Sequence, residues 1–140
     1  MNVGDEFGPS DWLEITQERI DRFADATDDH QWIHVDPEQA AQGPFGTTIA
    51  HGFLTLSPLV RFWYEVGSRF EGYTMGINYG VNKVRFPAPV PVGSRIRGRF
   101  TVAAVEEIEN VMQLVLNGVA ELDGQEKPVC AAELVFRQYR

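Results

Sequence analysis

The chain has 140 residues, 44% of them hydrophobic and 23% charged, and a formal net charge of −8 at pH 7. This size fits one domain, residues 1–140, and the composition excludes a disordered or collagen-like chain. The acidic excess argues against DNA or RNA as the main partner, because phosphate binding depends on clustered lysine and arginine. The single cysteine, Cys130, excludes an intrachain disulfide framework and a multi-cysteine metal site.

Neither a membrane span nor a leader is expected. The chain has no run of about 20 apolar residues, which a membrane-spanning helix needs. Residues Met1–Glu6 lack the basic and apolar regions of a signal peptide. We therefore expect a cytoplasmic protein.

The first third of the chain predicts short strands followed by helices. A first helix is expected from Thr16, a suitable N-cap, to about Thr27, because apolar residues recur there with helical spacing. A second begins at Asp36–Pro37, a capping carboxylate followed by proline at the first helical position. Gly43–Gly46 stops it. Extended pieces are predicted before these helices, near Glu6–Phe7 and Trp12–Glu14.

The longest helix is predicted from His51 to about Ser68. Its residues are apolar on nearly every side, which is typical of a buried helix. Pro58 lies inside the pattern, where it removes one backbone donor and should bend the helix.

After Gly72 the hydrophobic period becomes that of strands. The final gaps are short and carry turn residues, so the last three strands should be antiparallel neighbours. An antiparallel sheet curled around one long buried helix satisfies this order, which is an α+β fold. The four predicted strands are Tyr73–Phe86, Ser94–Glu107, Val111–Leu122 and Val129–Tyr139.

The segment from Ala26 to Pro37 breaks the pattern of a packing sequence. It places three carboxylates and two imidazoles in a turn between helices, where Asp29 and His34 are five residues apart. Such a pair suits acid–base chemistry near neutral pH, because a carboxylate can orient an imidazole. The alternative is a turn or cap residue at Asp29 and a structural histidine at His34. No recurrent metal motif is present, so we predict no metal site.

The start of the long helix is the second candidate feature. Free N–H groups at a helix N-terminus stabilise an oxygen that gains negative charge, and Gly52 lets a substrate approach the backbone. The alternative is that His51 is a polar cap and Gly52 a packing glycine.

These segments resemble the MaoC-like dehydratases, a family of (R)-specific enoyl-CoA hydratases with the hot-dog fold, and in particular their nodulation protein N-like branch. Asp29 and His34 fall on the family's catalytic Asp and His, while Gln31 and Trp32 replace Asn and Pro, as is usual in that branch. Asp28 stands where the branch usually has glycine. There it could raise the pKa of Asp29 by like-charge repulsion, strain the turn, or simply point to solvent. The resemblance rests on Phe23–Pro37, Gly43–Gly46, Ile49–Leu56, Asn78–Gly80 and Asn82–Gly93.

The resemblance implies reversible addition of water to a trans-2-enoyl thioester, giving the (R)-3-hydroxyacyl thioester. Asp29 and His34 would activate the water and deliver the α-proton, and the Gly52 N–H would stabilise the enolate oxygen. No separate cofactor is implied, because coenzyme A is part of the substrate. Further substrate-binding candidates are Gln31, Trp32, Phe45, His51, Phe53 and Asn78.

The window Gly72–Val105 holds five basic residues and no acidic one. They could form a solvated sheet face or a patch for a small phosphorylated ligand. By the resemblance, Lys83, Arg85, Arg95 or Arg97 would meet the phosphates of coenzyme A.

The family also implies a homodimer whose sheets join edge to edge. Two other functions remain open from the sequence. One is an acyl-CoA thioesterase on the same fold, and the other is a non-catalytic acyl-CoA-binding module.

Overall fold

The computed structural model describes residues 1–67 and 70–140. Over that part of the chain the elements are, in order, β1 (Glu6–Phe7), β2 (Leu13–Glu14), α1 (Gln17–Thr27), α2 (Trp32–Val35), α3 (Pro37–Ala41), α4 (Gly52–Leu56), α5 (Pro58–Val66), β3 (Met75–Arg85), β4 (Arg95–Ile108), β5 (Val111–Leu122) and β6 (Cys130–Tyr139). The predicted strands and the first two predicted helices are all found, within two residues at most of their ends.

The strands form one antiparallel sheet. Its order is β1-β4-β5-β6-β3, and β2 pairs with β4 beside β1. The hairpin pairings of β4 with β5 and of β5 with β6 confirm the prediction from short turns. Strand β3 closes the other end by pairing with β6, and its outer edge has no partner strand within the described ranges. The arrangement is the predicted α+β fold.

The predicted long helix is divided in two. Helix α4 ends at Leu56 and α5 begins at Pro58, whose missing N–H interrupts the helical ladder as expected. The prediction that this segment is buried on every side is wrong, because Phe53 is 68% and Tyr64 72% exposed. The predicted end at Ser68 lies outside the described residues.

The core lies between α5 and the sheet. Leu59 and Phe62 are fully buried there with Ile96, Phe100 and other apolar side chains of β4 and β5. Gly98 on β4 permits the close approach, since a Cβ at that position would lie 2.7 Å from the Cβ of Phe62. This packing fixes the axis of α5 against the sheet. It thereby also fixes the place where α4, the helix before it, begins. No helix in the described part of the chain is long and apolar enough to span a membrane.

Helix α1 begins and ends as its sequence requires. The Thr16 side chain accepts a hydrogen bond from the Arg19 N–H at 3.1 Å, which confirms the predicted N-cap. At the other end Asp28 adopts a left-handed conformation, with φ 60° and ψ 25°. Glycine takes that conformation without steric cost, whereas other residues are strained by it, aspartate less than most. The expected strain in this turn is therefore present, and the exposed Asp28 side chain points to solvent.

Replacing Asp28 with glycine should stabilise the protein by about 0.5–1 kcal/mol, because it relieves the left-handed strain at the end of α1. Ala26→Gly, two residues earlier inside the helix, should destabilise by a similar amount. Urea unfolding followed by circular dichroism measures both free energies. Loss of stability in both variants would contradict the account of this turn.

Candidate active site

The loop after α1 and the segment before α4 converge on two buried histidines. His34 lies on the short helix α2, which the sequence analysis did not predict, and His51 immediately precedes α4. Their side chains are 6% and 3% exposed. The two rings stack with centroids 3.9 Å apart and planes 23° apart. The carboxylate of the exposed Asp29 lies within 4.8 Å of a nitrogen of each ring.

Backbone hydrogen bonds hold the segment before α4 in place. The Ile49 N–H donates to the Ile33 carbonyl at 3.0 Å, and the Ala50 N–H donates to the Val90 carbonyl at 2.9 Å. This segment is therefore fixed between α2 and the loop that precedes β4. The side chain of Gln17 adds a link from α1, because it donates to the His34 carbonyl at 2.8 Å and accepts from Thr48 at 2.5 Å.

The hydrogen bond of His34 determines which of its nitrogens carries the proton. Its Nδ1 lies 2.7 Å from the Ile49 carbonyl oxygen, which can only accept, so Nδ1 carries a hydrogen. The neutral ring then keeps its lone pair at Nε2. Burial and, to a smaller extent, the neighbouring His51 lower the pKa of His34, and together they outweigh the hydrogen bond to Ile49 and the charge of Asp29, which raise it. At neutral pH the group is therefore a free base rather than a cation.

His51 forms its hydrogen bond through the other ring nitrogen. Its Nε2 lies 2.9 Å from the backbone carbonyl oxygen of Asp29 and donates to it, while its buried Nδ1 has no hydrogen-bond partner. From the sequence, His51 is predicted to bind substrate. In the structure the ring instead lies beneath the Asp29 turn, between His34 and Phe23.

Asp29, His34 and His51 each place one potential metal-ligand atom within 4.8 Å of the others. One nitrogen of each ring already donates to a carbonyl, so each ring offers a single lone pair. That no metal binds here stays a prediction from the sequence, which has no recurrent metal motif.

A cavity of about 360 Å³ opens beside His34. Gly52, the first residue of α4, lies on its wall, so a helix-terminal N–H is present next to the imidazole. The remaining wall is mainly apolar and contains Phe45, whose contact with the substrate stays a prediction. The ring of Phe86 packs over Gly52, where a Cβ would lie 3.0 Å from its carbons, so a larger residue would displace that ring.

The other predicted substrate contacts lie outside this cavity wall. Gln31 caps α2, and its N–H donates to the Asp29 carboxylate at 3.4 Å. The Trp32 ring packs against Gly43, and Phe53 is exposed beside Phe86.

Three predicted contacts lie on β3, away from the cavity wall. These are Asn78, Lys83 and Arg85, all of which are exposed. Lys83 and Arg85 line a separate groove with residues of β5 and β6. Their roles stay predictions.

The alternating arginines of β4 are already paired. Arg97 lies 3.0 Å from Glu121, Arg99 pairs with the same carboxylate, and Arg95 pairs with Asp123. Arg97 also stacks on the Trp12 ring at 4.2 Å. These contacts favour a solvated, salt-bridged sheet face over a phosphate site at these arginines. Cys130 is buried in the core, and burial raises the pKa of its thiol to about 11, so it is no nucleophile.

Several residues of the site have no signal in the sequence. The Ile49 carbonyl, which orients His34, is a backbone group that any residue would supply. Thr55, Phe86 and Val129 line the cavity from distant parts of the chain, and only the tertiary fold brings them together. The stacking of the two histidines likewise depends on the pairing of segments rather than on their spacing.

Two solved structures have a closely similar fold. A MaoC-like dehydratase from Rhodospirillum rubrum superposes with a TM-score of 0.81 at 22% identity, covering 100% of this chain and 94% of that one. An (R)-hydratase from A. caviae, described as involved in PHA biosynthesis, gives 0.74 at 23%, covering 97% and 96%. The hot-dog fold expected from the resemblance is thereby confirmed.

Sequence comparison identifies the family directly. A 3-hydroxyacyl-thioester dehydratase Z from Mycobacterium tuberculosis (strain ATCC 25618 / H37Rv) is 54% identical over 136 residues, 96% of this chain and 89% of the relative. Nodulation protein N from Rhizobium leguminosarum bv. viciae is 43% identical over 135 residues, 95% and 84% of the two chains. The family model described as MaoC like domain matches residues 1–121. The chain belongs to the MaoC-like domain family.

Proposed function

We propose that the protein is an (R)-specific hydratase that interconverts trans-2-enoyl-CoA and (R)-3-hydroxyacyl-CoA. The observation that carries this proposal is the buried His34, whose Nδ1 donates to the Ile49 carbonyl, close to the Asp29 carboxylate and on the same cavity wall as Gly52 at the N-terminus of α4. Membership of the MaoC-like family and similarity to a named 3-hydroxyacyl-thioester dehydratase support the reaction class.

In the proposed hydration, His34 acts as the base. Its Nε2 takes a proton from a water molecule as the water oxygen bonds to C3 of the enoyl thioester. The electron pair of the C2–C3 π bond moves toward the thioester oxygen, giving an enolate. The enolate then collapses and takes the proton back from the imidazolium at C2, so that the elements of one water are added. The Asp29 carboxylate accepts a hydrogen bond from the other O–H of the water, whose hydrogen stays on the product hydroxyl, and it stabilises the imidazolium.

The enolate oxygen would be stabilised by the Gly52 N–H. As the first residue of α4, Gly52 has no intrahelical acceptor, and its N–H makes no hydrogen bond in the ranges that the structure describes. Removing one such donor from an oxyanion hole typically reduces the rate by about 10²–10³. The fixed position of this N–H beside His34 therefore favours a reaction in which charge develops on a carbonyl oxygen.

The apolar wall of the cavity would receive the acyl chain. Phe45, Phe86 and Val129 line it together with a proline-rich loop. We propose that Lys83 and Arg85 of β3 meet the phosphates of coenzyme A, because arginine forms bidentate contacts with phosphate. The reaction needs no additional cofactor, since the base, the polarising carboxylate and the oxyanion donor all belong to the chain.

We further propose that the protein is a homodimer joined along β3. This strand has 11 residues, is exposed almost throughout, and lies at the edge of the sheet. Met75, Ile77, Tyr79 and Val81 are large exposed apolar side chains on this one strand. A long apolar edge strand has unpaired backbone groups that can form hydrogen bonds with another strand. In a dimer with a twofold axis, the two copies of β3 would cover one another.

Asp29→Asn should lower kcat for hydration of crotonyl-CoA by about 10²–10⁴, because it removes the charge that orients the water and stabilises the imidazolium. The loss of enoyl-thioester absorbance measures the rate. Asp28→Asn is the matched control, since it removes the adjacent exposed carboxylate and should change kcat less than threefold. Thiol release from acyl-CoA without hydration would instead establish a thioesterase. Tight acyl-CoA binding with no turnover of crotonyl-CoA or longer enoyl-CoAs would overturn the enzymatic proposal.

The pH profile of kcat/KM should have an acid limb with its midpoint below about 6.5, the ordinary pKa of imidazole. Because burial lowers the pKa of His34, its base form persists to lower pH than that of a free histidine. Rates between pH 5 and 8, with circular dichroism at each pH to confirm folding, test this. A midpoint above that ordinary value would contradict the assignment of neutral His34 as the base.

Sedimentation equilibrium should give twice the chain mass of 15.8 kDa for the natural protein. The double variant Ile77→Lys/Val81→Lys should be monomeric, since two like charges would be placed on each copy of the β3 edge. Val105→Lys makes the same change at an exposed valine of β4 and should leave the dimer intact. A natural monomer, or a dimer that survives the double variant, would refute pairing through β3.

A further inference from the structure

His51 is a buried titratable group to which the proposed mechanism gives no step. Its side chain is 3% exposed, less than that of His34. The ring packs against Phe23, at 4.9 Å between centroids, and stacks on His34, at 3.9 Å. His34 lines the cavity and His51 does not, so a role in substrate binding does not account for His51.

The nitrogens of His51 indicate a holding role rather than proton transfer. Nε2 donates to the Asp29 carbonyl at 2.9 Å, and the buried Nδ1 has no partner. The N–H at Nε2 is therefore already used in the bond to the Asp29 carbonyl, and the ring has no donor left for a substrate.

His51 contacts each part of the proposed catalytic group. Through Nε2 it holds the backbone of Asp29 at the end of a turn whose preceding residue, Asp28, is in the left-handed conformation. Through its ring face it sets the plane of the His34 imidazole. Through the chain it is joined to Gly52, and its carbonyl accepts the Thr55 N–H at 3.1 Å in the first turn of α4.

We propose that His51 is the positioning residue that holds the Asp29 carboxylate, the His34 imidazole and the Gly52 N–H in one fixed arrangement. This inference rests on the proposed hydratase function and deepens it. A geometric error of about 1 Å in such an arrangement can cost roughly 10² in rate. The role is exerted through the neighbours of His51 and involves no proton transfer by its own ring.

Two substitutions separate the hydrogen bond from the stacking. His51→Gln keeps an N–H donor at the end of a side chain of similar reach, so the bond to the Asp29 carbonyl is retained while the aromatic ring is lost. His51→Phe keeps a flat ring against His34 but leaves the buried Asp29 carbonyl without its donor. His30→Gln is the control, since it removes the exposed imidazole that pairs with Asp25 at the surface.

Steady-state hydration of crotonyl-CoA by the three variants tests the proposal. His51→Phe should lower kcat by about 10²-fold with KM changed less than threefold. The kcat of His51→Gln should be at least tenfold higher than that of His51→Phe. His30→Gln should stay within twofold of the natural protein. Equal inactivation of both His51 variants, with melting temperatures near that of the natural protein, would contradict rescue by the retained N–H donor and would overturn the proposal. Full activity of His51→Phe would overturn it as well.

A second measurement is independent of catalysis. In ¹⁵N NMR of the natural protein at pH 7, His51 should be the Nε2–H tautomer and His34 the Nδ1–H tautomer. A protonated or Nδ1–H form of His51 would refute the positioning role even in an active enzyme. If no enoyl-CoA is hydrated by the natural protein but the predicted tautomers are found, the proposed function fails while the arrangement around His51 stands.

Discussion

The buried hydrogen bond from His34 Nδ1 to the Ile49 carbonyl, 2.7 Å long, is the interaction on which the site depends. It joins the short helix α2 to the segment before α4 and leaves Nε2 as the only basic nitrogen of the ring. Because the ring is desolvated, its pKa falls, and the lone pair is available at neutral pH. One contact thus decides the position, tautomer and charge of the proposed base.

That contact is possible only because the fold brings two loops to the start of one helix. Helix α5 packs on the sheet across Gly98, and the chain before α4 is pinned between Ile33 and Val90. The Asp29 turn then closes over the two stacked histidines. The core therefore positions a helix N-terminus, and the helix N-terminus positions the reacting groups around a cavity whose walls are apolar. The same packing that stabilises the fold makes the site rigid.

The sequence predicts the fold better than it predicts the site. Alternating strands, the Thr16 cap and Asp36–Pro37 are local signals, and each is found where expected. The division at Pro58 was foreseen only as a bend, and α2 was missed because four residues carry no periodicity. The convergence of Asp29 and His34 followed from their spacing and from the family resemblance. The burial of His51 and the separation of Lys83 and Arg85 from the cavity wall did not, because they depend on which segments pair across the fold.

The central claim is that Asp29, His34 and Gly52 add water across an enoyl thioester from one fixed side. Hydration of crotonyl-CoA in D₂O, followed by determination of configuration at C3 and deuterium content at C2, tests it most directly. The account predicts (R)-3-hydroxybutyryl-CoA carrying a single deuterium at C2. A racemic or (S) product, or recovery of unchanged crotonyl-CoA at high enzyme concentration, would contradict it.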